Sequence, residues 1–267
     1  MTTYNVKKGK GKLVLLLILS LSVCIVSNRG MGKWRAKETA ASSVGDFFGT
    51  VVLSGFRPLA VDILWIRADD LFRQRQYYQL LSLYELIAAL EPHFESAWVF
   101  NASNLAFSLS SLESTDRAQW EWVRRGLLFA QEGYTKNPSS DQICFAIAWI
   151  YYFRVPQNPE FVKFLQSDSE LNPDRTDYLQ LALKWAERGY AVEPHTLFLD
   201  YLLELVYRRL AEEAKETRLK LHYQEKRLAL WNRFLLQTPD SERAKEKVGE
   251  LEAAIRELKK SMENENR

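Results

Sequence analysis

The stretch WVRRGLLFAQEGYTKNP, Trp122 to Pro138, returns 56 residues later as YLQLALKWAERGYAVEP, Tyr178 to Pro194. Aligned without gaps, both open on an aromatic residue and close on proline. Between these ends Gly126 pairs with Ala182, Leu127 with Leu183, Phe129 with Trp185 and Ala130 with Ala186, and a Gly-Tyr pair recurs at 133/134 and 189/190. Looser copies run from Tyr77 to Pro92 (YYQLLSLYELIAALEP) and from Tyr223 to Pro239 (YQEKRLALWNRFLLQTP). The closing prolines Pro92, Pro138, Pro194 and Pro239 stand 46, 56 and 45 residues apart.

Self-similarity at such a period marks an array, in which one supersecondary unit cannot bury its own apolar face and stacks on its neighbours. Each proline falls where a helix has to end, because its ring removes an amide donor and collides with the preceding turn. A second apolar stretch precedes each closing helix: Leu59 to Phe72, Ala97 to Leu109, Ile143 to Phe153 and Leu197 to Leu210. In the first of these, Val61, Leu64, Trp65, Ala68, Leu71 and Phe72 recur at spacings of three and four, the helical period. The pattern predicts an all-α chain: a helical-repeat solenoid of about four antiparallel helix pairs over residues 59–239.

In ALEPHFESAWVFNASNLAF, Pro92, Trp98, Ala102 and Leu105 alternate small and large residues as the tetratricopeptide family does between its paired helices. Tyr77, Leu80, Tyr84 and Pro92 fit the second helix of such a unit. The chain thus resembles that family, which implies stacked helix pairs from Leu59 to Pro239. It departs in length, since that family's unit is about 34 residues and these repeats run roughly 10 to 20 longer. The excess falls at 110–119, 154–173 and around 211–220, as longer helices or elaborated turns. The segment Gly55 to Gln74, GFRPLAVDILWIRADDLFRQ, also looks like the opening segment of bacterial membrane-anchored repeat proteins. No site residue is carried over from either likeness.

The N-terminus carries the second signal. A basic leader, residues 1–12, precedes the uncharged run Leu13 to Ser27, which with Asn28 reads as a transmembrane anchor over 13–28. Lys7, Lys8, Lys10 and Lys12 flank it on one side, and Arg29, Lys33, Arg35 and Lys37 on the other. A spanning helix wants about 20 apolar residues with a lower limit near 17, so the run relies on snorkelling flanks. Lipidation at Cys24 and cleavage after the run are the alternatives. The positive-inside rule does not decide the topology, since four basic residues lie on each side. A short lysine-rich leader ordinarily stays in the cytosol, which would place the repeats on the far side of a bacterial inner membrane. Residues 29–58 read as linker and N-terminal cap, with Phe47, Phe48, Val51, Val52, Leu53 and Phe56 as the capping or docking patch. Residues 240–267 read as a C-terminal cap helix, striped by Ala244, Val248, Leu251, Ala254, Ile255 and Leu258, with a fraying tail.

Charge separates the parts. Of 36 Lys and Arg, eight lie before Glu38 and no acid does; 28 basic against 34 acidic residues remain, a net of −6. That balance excludes a nucleic-acid partner. No glycine-rich phosphate loop, nucleophile elbow or metal-ligand spacing occurs, and His93 and His195 directly follow repeat-closing prolines as turn residues. Neither an enzyme nor a cofactor or metal site is expected. Cys24 and Cys144 fall in different compartments of the reading and do not pair, and Cys144 is expected in the core.

The first helix of each pair in such arrays lines a wall that grips a partner. On periodicity alone the wall is drawn from Asp69, Arg73, Asn101, Asn104, Ser108, Trp149, Tyr152, Asp200, Glu204 and Tyr207. The expected role is a membrane-tethered scaffold or adaptor for other membrane or envelope proteins. A lipid- or small-ligand-binding helical protein is the alternative, in which the aromatic residues line a closed pocket.

Overall fold

The structure, a computed structural model, describes residues 57–265. The anchor over 13–28, the basic leader and nearly all of the linker and cap over 29–58 lie outside the described residues. Among the described residues every element is helical. No described helix is long and apolar enough to cross a membrane. The chain divides into two compact units, Met1–Asp70 and Leu71–Arg267.

The first unit is described from residue 57 to 70 and holds most of helix α1, Arg57–Arg73. Its Val61 and Ala68 are buried, whereas Asp62, Arg67, Asp69 and Asp70 are exposed.

The second unit contains α2 (Tyr77–Leu90), α3 (Glu95–Ser103), α4 (Asp116–Lys136), α5 (Asp141–Trp149), α6 (Pro159–Ser167), α7 (Tyr178–Tyr190), α8 (Leu197–Glu213), α9 (Thr217–Gln237) and α10 (Glu242–Glu265). Helices α2, α4, α7 and α9 end two to four residues short of Pro92, Pro138, Pro194 and Pro239. Side-chain caps fix several starts: Thr115, Ser140, Asn158 and Asp177 accept from the amides of Ala118, Ile143, Glu160 and Leu179.

The extra repeat length has a definite form. Helix α3 runs on through a π-helical turn, Asn104–Leu109, and a 3₁₀ turn, Ser110–Leu112. Helix α5 does the same through Ile150–Arg154 and Val155–Gln157. Wider turns let one helix absorb residues without leaving the stack. Of the 154–173 insert, nine residues form α6, started by Asn158 with Pro159 in its first turn. Its buried Phe161 and Leu165 face α4, where the Phe161 ring lies 5.9 Å from that of Trp120.

First helices touch first helices: α3 packs on α5 and α5 on α8, while α4, α7 and α9 pack against them from the other side. Three glycines allow this closeness. A Cβ on Gly126 would stand 2.7 Å from the Ala102 carbonyl oxygen; on Gly133, 2.7 Å from the Trp98 ring; on Gly189, 2.8 Å from the Cys144 Cβ. Trp98 and Cys144 each lie six residues past a closing proline, so the two Gly-Tyr pairs do the same work in successive repeats.

Polar links repeat as well. Asn104 donates to the Tyr84 hydroxyl at 2.6 Å, Gln131 to the Tyr151 hydroxyl at 3.3 Å, and the Tyr207 hydroxyl to Glu187 at 2.6 Å. Each bond joins a second helix to the first helix of the following pair across 20 residues of sequence. Likewise Glu95 accepts from the Ser140 hydroxyl at 2.6 Å, and Asp141 accepts from the Thr196 amide at 2.7 Å. Acids in a first turn thus hold the start of the next first helix, where the dipole also favours them.

Candidate functional site

Repeat equivalence assigns Val99, Phe145 and Tyr201 to one row along α3, α5 and α8, Ser103, Trp149 and Leu205 to a second, and Phe107 and Phe153 to a third. Along α5 the residues Phe145, Trp149 and Phe153 recur every fourth position and lie on one face. Their rings stack nearly parallel, Phe145 on Trp149 at 5.9 Å and 18°, Trp149 on Phe153 at 5.0 Å and 4°. Phe107, in the extension of α3, meets Phe153 at 6.4 Å and 44°, and Phe198 of α8 meets Phe145 at 5.9 Å and 44°, both tilted contacts. The result is an unbroken track of five rings across three first helices. Phe153, Phe198 and Tyr201 are exposed, and Phe107, Phe145 and Trp149 are half-buried.

The track runs toward a groove of about 590 Å³ between α8, α9 and α10. Tyr201, Leu205, Leu230, Trp231 and Phe234 supply its apolar lining, and Asp200, Arg208, Arg243 and Glu246 its charged rim. Beneath it Arg227 grips Glu204 through Nε at 3.1 Å and Nη2 at 2.5 Å, both side chains being buried. Among the described residues no group of three His, Cys, Asp or Glu could hold a metal ion.

The residues expected to form the wall scatter. Trp149 lies in the ring track, and Tyr152 is half-buried beside it, its ring 6.4 Å from Trp149. Burial raises the Tyr152 phenol, against the pull of Arg208 and Arg209. Ser108 is exposed and Asp200 rims the groove, its carboxylate 3.4 Å from His195. Asp69 belongs to the first unit, and Arg73 ends α1. Three expectations need correction: Asn101 is fully buried, Tyr207 is buried against Glu187, and Glu204 is buried against Arg227. Asn104 is half-buried and donates through its amide nitrogen to Tyr84. Burial and the bond to Glu187 both push the Tyr207 phenol upward, leaving it a fixed donor.

Phe107, Phe145, Phe153 and Phe198 of the ring track were not among the expected residues. Their signal was present in the phase: 99, 103 and 107 lie on one helical face and 101, 104 and 108 on another. Cys144 sits in the core with its thiol pushed up to about 12 by burial, which leaves it without nucleophilic character at neutral pH.

The class defined so far is an all-α protein of stacked helices with an exposed aromatic face. Comparison with family models, with curated proteins and with solved structures returned no match.

Proposed function

We propose that the chain is a membrane-tethered, tetratricopeptide-like helical-repeat scaffold. In this reading it uses the ring track on α3, α5 and α8 to hold a segment of another envelope protein. The solenoid reading draws support from the recurring glycine contacts and from three hydroxyl links that each span 20 residues. The anchor over 13–28 and a position beyond a bacterial inner membrane come from the sequence. The observation that carries the partner-binding reading is the track itself. A continuous row of exposed and half-buried aromatic rings is rare on a surface that faces only water, and such residues supply most interface energy. Stacking fixes their rotamers in advance, so little entropy is lost when a partner lands.

A small-ligand reading has one observation in its favour, the groove of about 590 Å³, which lies in the usual size range of ligand sites. One experiment separates the two. Tagged full-length chain is captured from detergent-solubilised native membranes beside a Trp149→Ala/Phe153→Ser/Phe198→Ser variant, and bound proteins and lipids are identified by mass spectrometry. The scaffold reading expects one near-stoichiometric protein that the variant loses. A partner retained by the variant refutes the track as its site, and a bound lipid or metabolite without protein favours the groove.

A further inference from the structure

The first unit carries a surface feature that the ring track does not explain. On α1, Leu59, Ile63 and Ile66 are 56%, 58% and 68% exposed. At spacings of four and three they fall within about 60° of one another around the helix, one narrow stripe. Single exposed aliphatic residues are ordinary, but a row of three over two turns is a patch. The stripe has no hydroxyl, amide or ring among its three members. Its flanks bear charges of both signs, Asp62 and Asp69 on one side and Arg67 on the other, and the exposed Asp70 ends the stripe one turn beyond Ile66. A surface of that make-up suits a medium that is apolar beneath and charged above.

The chain outside the described residues says which medium is within reach. Twenty-nine residues separate the uncharged run Leu13 to Ser27 from Arg57. Even fully extended, that length reaches no more than about 100 Å. If the run occupies a bilayer, α1 is therefore confined near the lipid surface at high effective concentration, where even a weak preference suffices.

We propose that the α1 stripe of Leu59, Ile63 and Ile66 rests on the lipid surface of the membrane that holds the anchor. Helix α1 then lies along the headgroup–acyl boundary as an interfacial helix. The inference rests on the anchor reading above. Its consequence is geometric, because a helix held at the surface orients the adjoining chain, which a flexible tether alone does not.

The test uses the full chain in phosphatidylcholine nanodiscs with Cys24→Ser, so that a single added cysteine can carry an environment-sensitive NBD fluorophore. Cys144 can stay, being fully buried. The label is placed in turn at Leu59, Ile63, Ile66, Arg67 and Asp69, and headgroup-proximal doxyl lipid is the quencher. Quenching at 59, 63 and 66 is expected to exceed that at 67 and 69 by about threefold, with helical periodicity. A flat profile, or none at all, in chain that co-elutes with the discs overturns the proposal and leaves the anchor standing. This is also the result expected if a protein covers the stripe. Chain that fails to co-elute overturns the anchor reading and the proposal together.

Discussion

Replacing Gly126 or Gly133 by alanine sets two effects of known size against each other. In a helix interior alanine is favoured over glycine by about 1 kcal/mol. Here the new methyl would meet the Ala102 carbonyl oxygen at 2.7 Å and the Ala106 Cβ at 3.0 Å, or three Trp98 atoms at 2.7 to 2.9 Å. A backbone carbonyl cannot turn away, and Trp98 is pinned by its Nε1 donating to the Pro92 carbonyl at 3.0 Å and by the Phe129 ring at 4.7 Å. Helix α4 therefore has to back away from α3 by several tenths of an ångström, which opens contacts along its length. Overpacking of this kind costs about 1–3 kcal/mol, and a rigid obstacle puts both sites at the upper end. The net is a loss of about 2 kcal/mol, or a fall in Tm of about 4–8 °C for a unit of this size.

Gly189 meets the Cys144 Cβ at 2.8 Å but otherwise the movable tips of Leu199, so its loss should be about half as large. Gly249 on α10 has nothing within 4 Å, and there alanine should gain about 1 kcal/mol, raising Tm by about 2–4 °C. Thermal unfolding of the four single variants, followed by far-UV circular dichroism, reads all of these. If Gly126→Ala and Gly249→Ala shift Tm in the same direction by similar amounts, the close approach of α3 and α4 is wrong.

Two further perturbations probe polar groups. Asn101 is fully buried, and neither its amide nitrogen nor its oxygen has a hydrogen-bond partner. Its repeat equivalents are Ile147 and Leu203, both in the core, so Asn101→Leu should stabilise by about 1 kcal/mol or more in denaturant unfolding; destabilisation would show an undetected role for the amide. Asp168 is the acid-sensitive group. Burial pushes its carboxyl up, but the Leu171 amide, the Arg124 guanidinium at 2.6 Å and the Glu170 amide outweigh this and hold it below the usual carboxylate range. A depressed folded pKa contributes stability above the unfolded value, about 3.9, that is lost as pH falls through the folded value. The Tm gap between wild type and Asp168→Asn should thus be full at pH 6 and shrink toward pH 3, and a gap independent of pH would contradict the linkage.

How far the sequence carried the fold follows from what each residue had to say locally. Helix ends were legible because proline acts on the turn before it, and Gly133 and Gly189, paired in the sequence, each stand against a residue six past a closing proline. The π-helical turns at Asn104 and Ile150 were not legible, since widening a turn removes no residue type and adds none. The exposed aromatic face escaped the sequence for a related reason. Helix α5 is apolar all round, DQICFAIAW, and a helix buried on most sides offers no polar stripe from which to set the phase. Asn101 and Tyr207 looked like surface residues because they are polar. Burial instead leaves the first unpaired and gives the second the Glu187 partner.

Under the proposed scaffold reading, the charge left on the first helices bears on how a partner would be chosen. Helix α3 with its extension carries only Glu95, and α5 with its extension only Asp141 and Arg154. Glu95 and Asp141 are occupied by the next helix start, at Ser140 and Thr196. Arg154 is buried, its Nε on the Ala106 carbonyl at 3.0 Å and its Nη2 on the Ser110 hydroxyl at 2.9 Å, with the Phe161 ring 5.0 Å away. The middle of the track is therefore electrically quiet, and a partner held there is selected by apolar fit rather than by field. Screening acts on exposed charge and leaves apolar burial intact or strengthened. Capture of the partner should accordingly persist when salt is raised from about 0.05 to 0.5 M, across which the screening length falls severalfold. A steep loss of capture over that range would move the contact off the rings and onto the charged rim of the α8–α10 groove.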